Sequence, residues 1–217
     1  PAGGGGKDTT DYLCFTADEA NDTISLNKYG TPSTISLEYS VDKKTWTDYT
    51  WDGNTDATIT LANVGDSVYF RGNNDTFSTA YDSYYNFQFS ALTRASGNIM
   101  SLLDKQFRKK EVSEYCFNSL FYNCTSLTTA PELPATTLAE SCYYNIFNGC
   151  TSLTTAPELP ATTLAGSCYR SMFNGCTSLT EAPELPATTL ANWCYLDMFK
   201  GCSSLTKAPE LPATTLT

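Results

Sequence analysis

From Tyr115 onward the chain repeats its own sequence every 26 residues, almost letter for letter. Two sets of cysteines follow this spacing: Cys116, Cys142, Cys168 and Cys194, and Cys124, Cys150, Cys176 and Cys202. A repeat of this length is typical of a solenoid, in which one unit cannot bury its apolar face alone and is stable only against its neighbours. Because solenoids present extended surfaces, the repeat favours a binding function over a catalytic one.

A single unit carries signals for one strand and one helix. The stretch Leu-Thr-Thr-Ala predicts a short strand that pairs in parallel with its counterparts, and Pro157 and Pro160 should end it because proline cannot donate to a ladder. Between Leu164 and Asn174 an apolar residue recurs at every fourth position, which predicts a short helix. Gly175 follows that segment, where a left-handed C-cap would lie.

The residues before the repeats have a different pattern. Short runs of alternating apolar and polar residues, such as those around Ile24 and Leu26, are separated by turn residues. Short strands at this spacing predict a β-sandwich of immunoglobulin-like texture. We therefore divide the chain into four parts, with a truncated C-terminal end expected for the last: a flexible Gly-rich tether (1–9), a β-sandwich domain (10–95), a degenerate N-capping repeat (96–115) and the solenoid (116–217).

Charge and composition exclude several functions. The formal net charge is −10, so the basic surface that nucleic acids or anionic membranes require is missing. No apolar run approaches the roughly 18 residues of a membrane span, and we expect no transmembrane segment. The chain has no histidine, which removes the commonest general base and most catalytic zinc sites. We therefore expect no enzyme activity, no catalytic residues, no cofactor and no metal; a glycosidase built on paired carboxylates is the remaining enzymatic alternative.

The cysteines are expected to be free thiols. Two cysteines eight residues apart on one helix would lie about 12 Å from each other, too far for a bond within a unit. Their recurrence among apolar residues predicts two buried ladders along the stack. Disulfides between adjacent units are the alternative, and a four-cysteine metal site is disfavoured by the spacing.

The repeat sequence resembles a known family. L-x-x-A-P-x-L-P, followed by L-x-x-x-C-Y-x-x-M-F-x-G-C, is similar to the leucine-rich repeats of BspA-type bacterial surface proteins. The β-rich part before it is similar in texture to domains that precede such repeats in gut-bacterial surface proteins. The resemblance implies an all-β sandwich followed by a leucine-rich-repeat solenoid with short parallel strands and short helices. It also implies a secreted or surface-anchored location, lipid-anchored on the outer surface, and a role in adhesion to a host or matrix protein or a glycan.

Differences between the units indicate where a ligand could bind. Pro-Glu-Leu-Pro-Ala-Thr-Thr-Leu is fixed in every unit, whereas a second group of positions varies. The candidate ligand-binding residues at variable positions are Trp193, Tyr144, Arg170, Asp197 and Glu181. The alternative is that solvent-facing positions drift after duplication. The fixed glutamates predict an acidic ladder that attracts cations or basic partners, made of Glu132, Glu158, Glu184 and Glu210.

The leading function is a non-enzymatic cell-surface binding or adhesion protein that uses the repeat surface. The alternative is a carbohydrate-binding component of a glycan-uptake system that uses the N-terminal domain. Its candidate aromatic platform consists of Trp46, Trp51, Tyr81, Tyr84 and Tyr85. The expected partners are therefore an extracellular protein or a polysaccharide, and a monomer is favoured.

Overall fold

The computed structural model describes residues 11–50 and 58–216. Within these residues it contains eleven short strands and one 3-10 helix, Ile99–Leu102. The strands are β1 (Leu13–Ala17), β2 (Asp22–Tyr29), β3 (Leu37–Ser40), β4 (Thr47–Tyr49), β5 (Ile59–Leu61), β6 (Ser67–Gly72), β7 (Tyr84–Phe89), β8 (Thr93–Ser96), β9 (Leu127–Thr129), β10 (Thr189–Leu190) and β11 (Thr215–Leu216).

Two sheets form the N-terminal half. The larger has the order β4-β3-β6-β1-β8-β9, and the smaller has the order β5-β2-β7. All neighbours in them are antiparallel except β8 and β9, which pair in parallel. Because β9 belongs to the first repeat, the larger sheet continues from the N-terminal half into the repeat half.

Aromatic side chains fill the space between these sheets. The ring of Phe15 on β1 lies 4.8 Å from that of Phe87 on β7, and the ring of Phe70 on β6 lies 5.3 Å from Phe87. All three side chains are fully buried. The alternation of apolar and polar residues in β2 turns Ile24 and Leu26 towards the same core.

The predicted fold class, an all-β sandwich followed by a leucine-rich-repeat solenoid with short helices, is wrong. The described residues contain no α-helix, and their sheets do not form a solenoid. In the repeat half only β9, β10 and β11 qualify as strands, and elsewhere neighbouring units pair through isolated bridges such as Thr129 with Thr155 and Thr137 with Thr163. The segment predicted to be a helix is a chain of consecutive turns.

We call this chain of turns the turn segment; it covers residues 114–123, 140–149, 166–175 and 192–201 of successive units. Its backbone N–H groups alternate between two acceptors. In the second unit the odd-numbered residues donate to carbonyls of the next unit, as Tyr143 does to Cys168 at 3.1 Å, whereas the even-numbered ones donate three residues back, as Tyr144 does to Ser141 at 3.1 Å. An α-helix would place all these bonds within the segment, so here half of the donors join one unit to the next.

The period of the turn segment explains why it is not a helix. Every fourth residue has a left-handed backbone, as at Ser141, Asn145 and Gly149, with φ angles of 54°, 55° and 78°. Serine, asparagine and glycine occupy most of these positions, and asparagine and glycine tolerate the left-handed region best. On an α-helix with 3.6 residues per turn, residues four positions apart are offset by about 40° around the axis. In the turn segment, by contrast, four residues make one complete turn, so such residues are equivalent.

Aromatic side chains at equivalent positions stack on one another from unit to unit. One column of parallel rings contains Phe121, Phe147, Phe173 and Phe199, with centroids 5.5 to 5.7 Å apart. A second column contains Phe117, Tyr143, Tyr169 and Tyr195, with centroids 5.9 to 6.0 Å apart. The predicted buried ladders of cysteines are confirmed, since all nine cysteines are buried and unbridged.

Two phenylalanines of the N-terminal half begin these columns. The Phe77 N–H donates to the carbonyl of Cys116 at 3.1 Å, and its ring lies 6.1 Å from Phe117. The Phe87 N–H donates to the carbonyl of Leu120 at 2.8 Å, and its ring lies 5.9 Å from Phe121. These are the contacts that each repeat makes with the next. The N-terminal half therefore packs on the first unit as a preceding repeat would.

The segment predicted to be an N-capping repeat contacts another part of the first unit. Ile99 N–H donates to the Glu132 carbonyl at 3.2 Å, and Glu132 N–H donates to the Gly97 carbonyl at 2.8 Å. A parallel bridge joins Glu111 to Thr137. The domain boundaries stay predictions, and the predicted tether at 1–9 lies outside the described residues.

Candidate functional site

The fixed Pro-Glu-Leu-Pro segments form the floor and walls of a groove. In the second full unit Pro157 and Leu159 are buried, whereas Glu158 and Pro160 are exposed, as expected for an extended segment with one face on the core. Two of the four residues are prolines, which lack an N–H to donate. Among the described residues no hydrogen bond joins segments 157–160, 183–186 and 209–212, so clefts remain between them.

Two adjoining clefts make one groove, which we call the acidic groove. The first, about 820 Å³, lies between segments 180–186 and 206–212. The second, about 510 Å³, lies between segments 156–160 and 183–186. Both include Pro183, Glu184 and Pro186, so the groove runs across three successive units.

Carboxylates dominate the charge of this groove. Glu158, Glu184 and Glu210 are exposed along it, and Glu181 lines it as well. Within the described part of the chain no cationic side chain lies within ion-pair distance of these four groups. Three members of the predicted acidic ladder therefore line one groove, whereas Glu132 is half-buried and its backbone pairs with the N-terminal half.

Two other predicted residues lie together on the turn segments. The guanidinium of Arg170 lies 5.6 Å from the ring centroid of Tyr144 in the preceding unit, a cation–π contact. Both side chains are half-buried, and the buried Arg170 Nε has no hydrogen-bond partner. Asp197 is exposed, and its carboxylate lies 3.9 Å from the Lys200 ammonium. Neither cleft of the acidic groove includes any of these residues.

Trp193 owes its exposure to its place in the last turn segment. Its side chain is 66% exposed, whereas Ser141 and Ser167 at the equivalent positions are buried. The difference arises because a following unit covers those serines and none covers Trp193 in the described chain. Its φ of 56° is also unusual for a bulky residue. Trp193 as a ligand-binding residue stays a prediction.

The candidate aromatic platform is divided between different environments. The ring of Trp46 packs on that of Tyr12, and the guanidinium of Arg71 lies 3.8 Å from the centroid of the Trp46 ring. Tyr85, by contrast, is buried, and its hydroxyl donates to the Ser33 carbonyl at 3.0 Å. Tyr81 is exposed. Trp51 lies outside the described residues.

Tyr84, the remaining member, has a partner that the sequence did not indicate. Its ring stacks on that of Tyr29 with centroids 5.0 Å apart, and Tyr29 is 44% exposed. Burial, together with the neighbouring Tyr29 and Tyr122 hydroxyls, raises the pKa of Tyr84. The cross-strand pairing of β2 with β7 places the two tyrosines opposite each other, and only the sheet register reveals this.

The thiols are poorly suited to chemistry. The Cys150 and Cys176 thiols each donate to a phenylalanine carbonyl of the preceding unit at 3.1 Å. Burial raises the pKa of Cys168 to about 12 and that of Cys150 well above its usual range, so little nucleophilic thiolate forms near neutral pH. Among the described residues no three potential ligands from His, Cys, Asp and Glu are grouped for a metal ion. No helix in that part of the chain has the length and apolarity to cross a membrane.

No family model, no curated protein and no solved structure matches this chain. The chemistry of the acidic groove and the packing of the repeats are thus the observations from which a function can be argued.

Proposed function

We propose that the chain is a non-enzymatic binding protein whose acidic groove holds an extended, basic segment of an extracellular partner protein. The single observation that carries this proposal is the continuity of the groove across three units, with an exposed carboxylate from each. An extended peptide repeats its side chains every two residues and can run along such a row. The cell-surface location and the role in adhesion are proposed from the resemblance of the repeat sequence to BspA-type surface proteins.

Groove chemistry supports a basic partner over a neutral one. Lys207 also lines the first cleft, but among the described residues Glu158, Glu184 and Glu210 make no ion pair, so a lysine or arginine side chain of a partner would gain an ion pair without breaking one. The exposed Pro160 and Pro186 offer flat apolar surfaces beside them. The net charge of −10 would also steer a basic partner towards this chain.

A peptide array tests the proposal. Arrayed 12- to 15-residue peptides of graded lysine and arginine content, together with immobilised extracellular-matrix proteins, are probed with the full chain. The variant Glu158→Gln/Glu184→Gln should bind basic peptides about tenfold more weakly, and binding should weaken as salt increases. Glu19→Gln, an exposed glutamate of the N-terminal half, is the matched control and should bind as the unmodified chain does. Equal binding by all three proteins would disprove the role of the groove.

A second candidate function is carbohydrate binding by the stacked pair of Tyr29 and Tyr84. Exposed aromatic faces bind apolar faces of sugars, and Tyr29 is the more exposed of the two. On a glycan array, Tyr29→Ala should abolish any binding that this pair supports while leaving peptide binding in the groove unchanged. Retained glycan binding by the variant would assign the sugar site elsewhere.

A further inference from the structure

The outer face of the smaller sheet carries aromatic and uncharged polar side chains. Alternate residues of a strand point to opposite faces of a sheet, so Leu26 of β2 and Phe87 of β7 turn towards the core while the residues beside them turn away from it. The register of the two strands places these outer residues opposite each other in three pairs: Ser25 with Gln88, Asn27 with Asn86, and Tyr29 with Tyr84.

A third tyrosine, from the first repeat unit, lies beside this face. The carbonyl of Tyr122 accepts hydrogen bonds from Asn86 Nδ2 at 3.0 Å and from Gln88 Nε2 at 3.4 Å. These bonds hold Tyr122 next to β7, on the edge of that strand that β2 does not occupy. We call the surface formed by the six paired side chains and the side chain of Tyr122 the tyrosine face.

Several hydrogen-bonding groups of the tyrosine face are not used within the described part of the chain. There the hydroxyls of Tyr29, Tyr84 and Tyr122 have no hydrogen-bond partner, and the same holds for the Ser25 hydroxyl and the Gln88 Oε1. Burial, with the neighbouring Tyr29 and Tyr122 hydroxyls, raises the pKa of Tyr84, so this hydroxyl keeps its proton at neutral pH. A hydroxyl both donates and accepts, which suits a ligand that itself carries hydroxyls.

Charge complementarity favours a neutral ligand. None of the side chains of the tyrosine face is charged, and Asp82, an exposed residue in the turn before Tyr84, is acidic. An anionic ligand would gain no ion pair from this face and would approach a chain with a net charge of −10. A cationic ligand would gain more from the carboxylates of the acidic groove.

The stacked rings indicate which neutral ligand fits. The rings of Tyr29 and Tyr84 are inclined by only 21°, so each covers one side of the other, and the 44% exposure of Tyr29 belongs to the rest of its surface. A pyranose ring whose hydroxyls are all equatorial presents flat C–H faces to an aromatic ring and hydroxyls around its rim. Between Ser25 and Tyr29 the face extends about 13 Å, which is longer than one sugar ring.

We propose that the tyrosine face binds a neutral β-1,4-linked glucan chain, with one glucose ring packed on Tyr29. Hydroxyls of this sugar and its neighbours bond to the side chains of Tyr84, Tyr122 and Gln88. This inference rests on the second candidate function, carbohydrate binding by the stacked tyrosine pair. It adds the class of sugar and the contribution of the first repeat unit, and it is independent of the acidic groove.

Three hexasaccharides that share one linkage test the class of sugar. The full chain, with tyrosine rings labelled with 13C, is titrated by NMR with cellohexaose, with β-1,4-mannohexaose and with the β-1,4-linked hexamer of glucuronic acid. Cellohexaose should shift the ring signals of Tyr29, Tyr84 and Tyr122. Mannohexaose, in which one hydroxyl of each sugar is axial, should bind about fivefold more weakly. The glucuronic acid hexamer, which differs from cellohexaose only by its carboxylates, should cause no shift.

Single substitutions test the residues. Tyr29→Ala should abolish cellohexaose binding, and because this side chain is largely exposed the variant should still fold. Tyr122→Phe removes only a hydroxyl and should raise the Kd for cellohexaose about three- to tenfold. Tyr69→Phe removes a hydroxyl from a half-buried tyrosine of the larger sheet, so it is the matched control and should leave the Kd unchanged.

The outcomes separate this inference from the function on which it rests. If Tyr29→Ala abolishes sugar binding but the glucuronic acid hexamer binds as tightly as cellohexaose, or Tyr122→Phe has no effect, the inference is overturned and carbohydrate binding by the tyrosine pair stands. If no hexasaccharide shifts the tyrosine signals and no sugar on the glycan array is bound, both are overturned. Peptide binding in the acidic groove should be the same in all three variants.

Discussion

The N-terminal half and the repeat half bury apolar residues by different routes. In the first, unlike side chains from distant strands meet, as Phe15, Phe70 and Phe87 do between two sheets. In the second, like residues stack on their own copies, as Phe121, Phe147 and Phe173 do. The contacts of the first core occur once each, whereas those of the second recur from one unit to the next, and the two cores are continuous. The two kinds of core meet where Phe77 and Phe87 stack on rings of the first unit.

Phe87 shows how the two kinds of core are joined. It packs against Phe15 and Phe70 within the N-terminal half and against Phe121 of the first unit. Its carbonyl also accepts from the Cys124 thiol at 2.8 Å, as the carbonyl of Phe121 does from Cys150 at 3.1 Å. A strand of an ordinary sheet thus supplies the contacts of a repeat unit, which makes the N-terminal half the cap of the stack.

Substitutions in the two ring columns should have the largest effect on the free energy of unfolding. Phe147 has a stacked ring on both sides, so Phe147→Ala should lower the free energy of unfolding by ~3–5 kcal/mol. Phe199 has a stacked ring on one side only and is half-buried, so Phe199→Ala should cost about 1–2 kcal/mol. Urea denaturation measures both. Equal costs would mean that the last unit is covered as well as the interior ones.

Substitutions at the left-handed positions of the turn segment should have an intermediate effect on the free energy of unfolding. Gly149→Ala places a methyl group against the Asn123 side chain at a φ of 78°, and should cost about 2–3 kcal/mol. Gly175→Ala has a nearly identical φ of 76°, but its methyl group would have ordinary contact with Gly149, so only the backbone strain of about 1 kcal/mol remains. Thermal melting of the two variants separates steric crowding from strain. A larger cost at Gly175 would contradict this packing.

Some of these structural features could be predicted from the sequence, and others could not. The cysteine ladders follow from the repeat, because every copy of a buried residue must occupy the same environment. The helix prediction failed because an apolar residue at every fourth position satisfies both a helix and a four-residue turn over a short segment. Ser141, Asn145 and Gly149 carried the deciding signal, since residues tolerant of a left-handed backbone recur at that spacing. The capping role of Phe77 and Phe87 depends on long-range packing, so no local sequence pattern predicts it.

Within the acidic groove, the sequence predicted the residues but not the shape. Repetition alone indicates that Glu158, Glu184 and Glu210 form a row, because equivalent residues of stacked units are neighbours. The width of the clefts depends on the absence of hydrogen bonds between the proline-containing segments. Glu181 and Trp193 were both candidates at variable positions, and Glu181 lines the groove whereas Trp193 does not, since variable positions occur on more than one side of a unit.

Lowering the pH should reduce the stability of the part of the chain that precedes the repeats, through Asp104. Asp104 accepts hydrogen bonds from the Arg108 side chain and from three backbone N–H groups, which hold its pKa well below its usual range. A lowered pKa stabilises the folded chain above the unfolded value of about 3.9, and this contribution is lost as the pH falls below it. Asp104→Asn should cost about 1 kcal/mol at pH 7. Its melting temperature should then fall less between about pH 4 and pH 2 than that of the unmodified chain, and an unchanged pH profile would contradict this role.

The smallest effect is expected at Trp193, an exposed residue with a strained backbone in the last turn segment of the described chain. The side chain is 66% exposed, so Trp193→Ala should change the free energy of unfolding by less than about 0.5 kcal/mol. Trp193→Asn removes the same side chain but suits the φ of 56° better than alanine does, because asparagine tolerates the left-handed region. The asparagine variant should therefore melt at or slightly above the temperature of the alanine variant. A loss of several kcal/mol in both variants would show that Trp193 packs into a core, as Ser141 and Ser167 do at the equivalent positions.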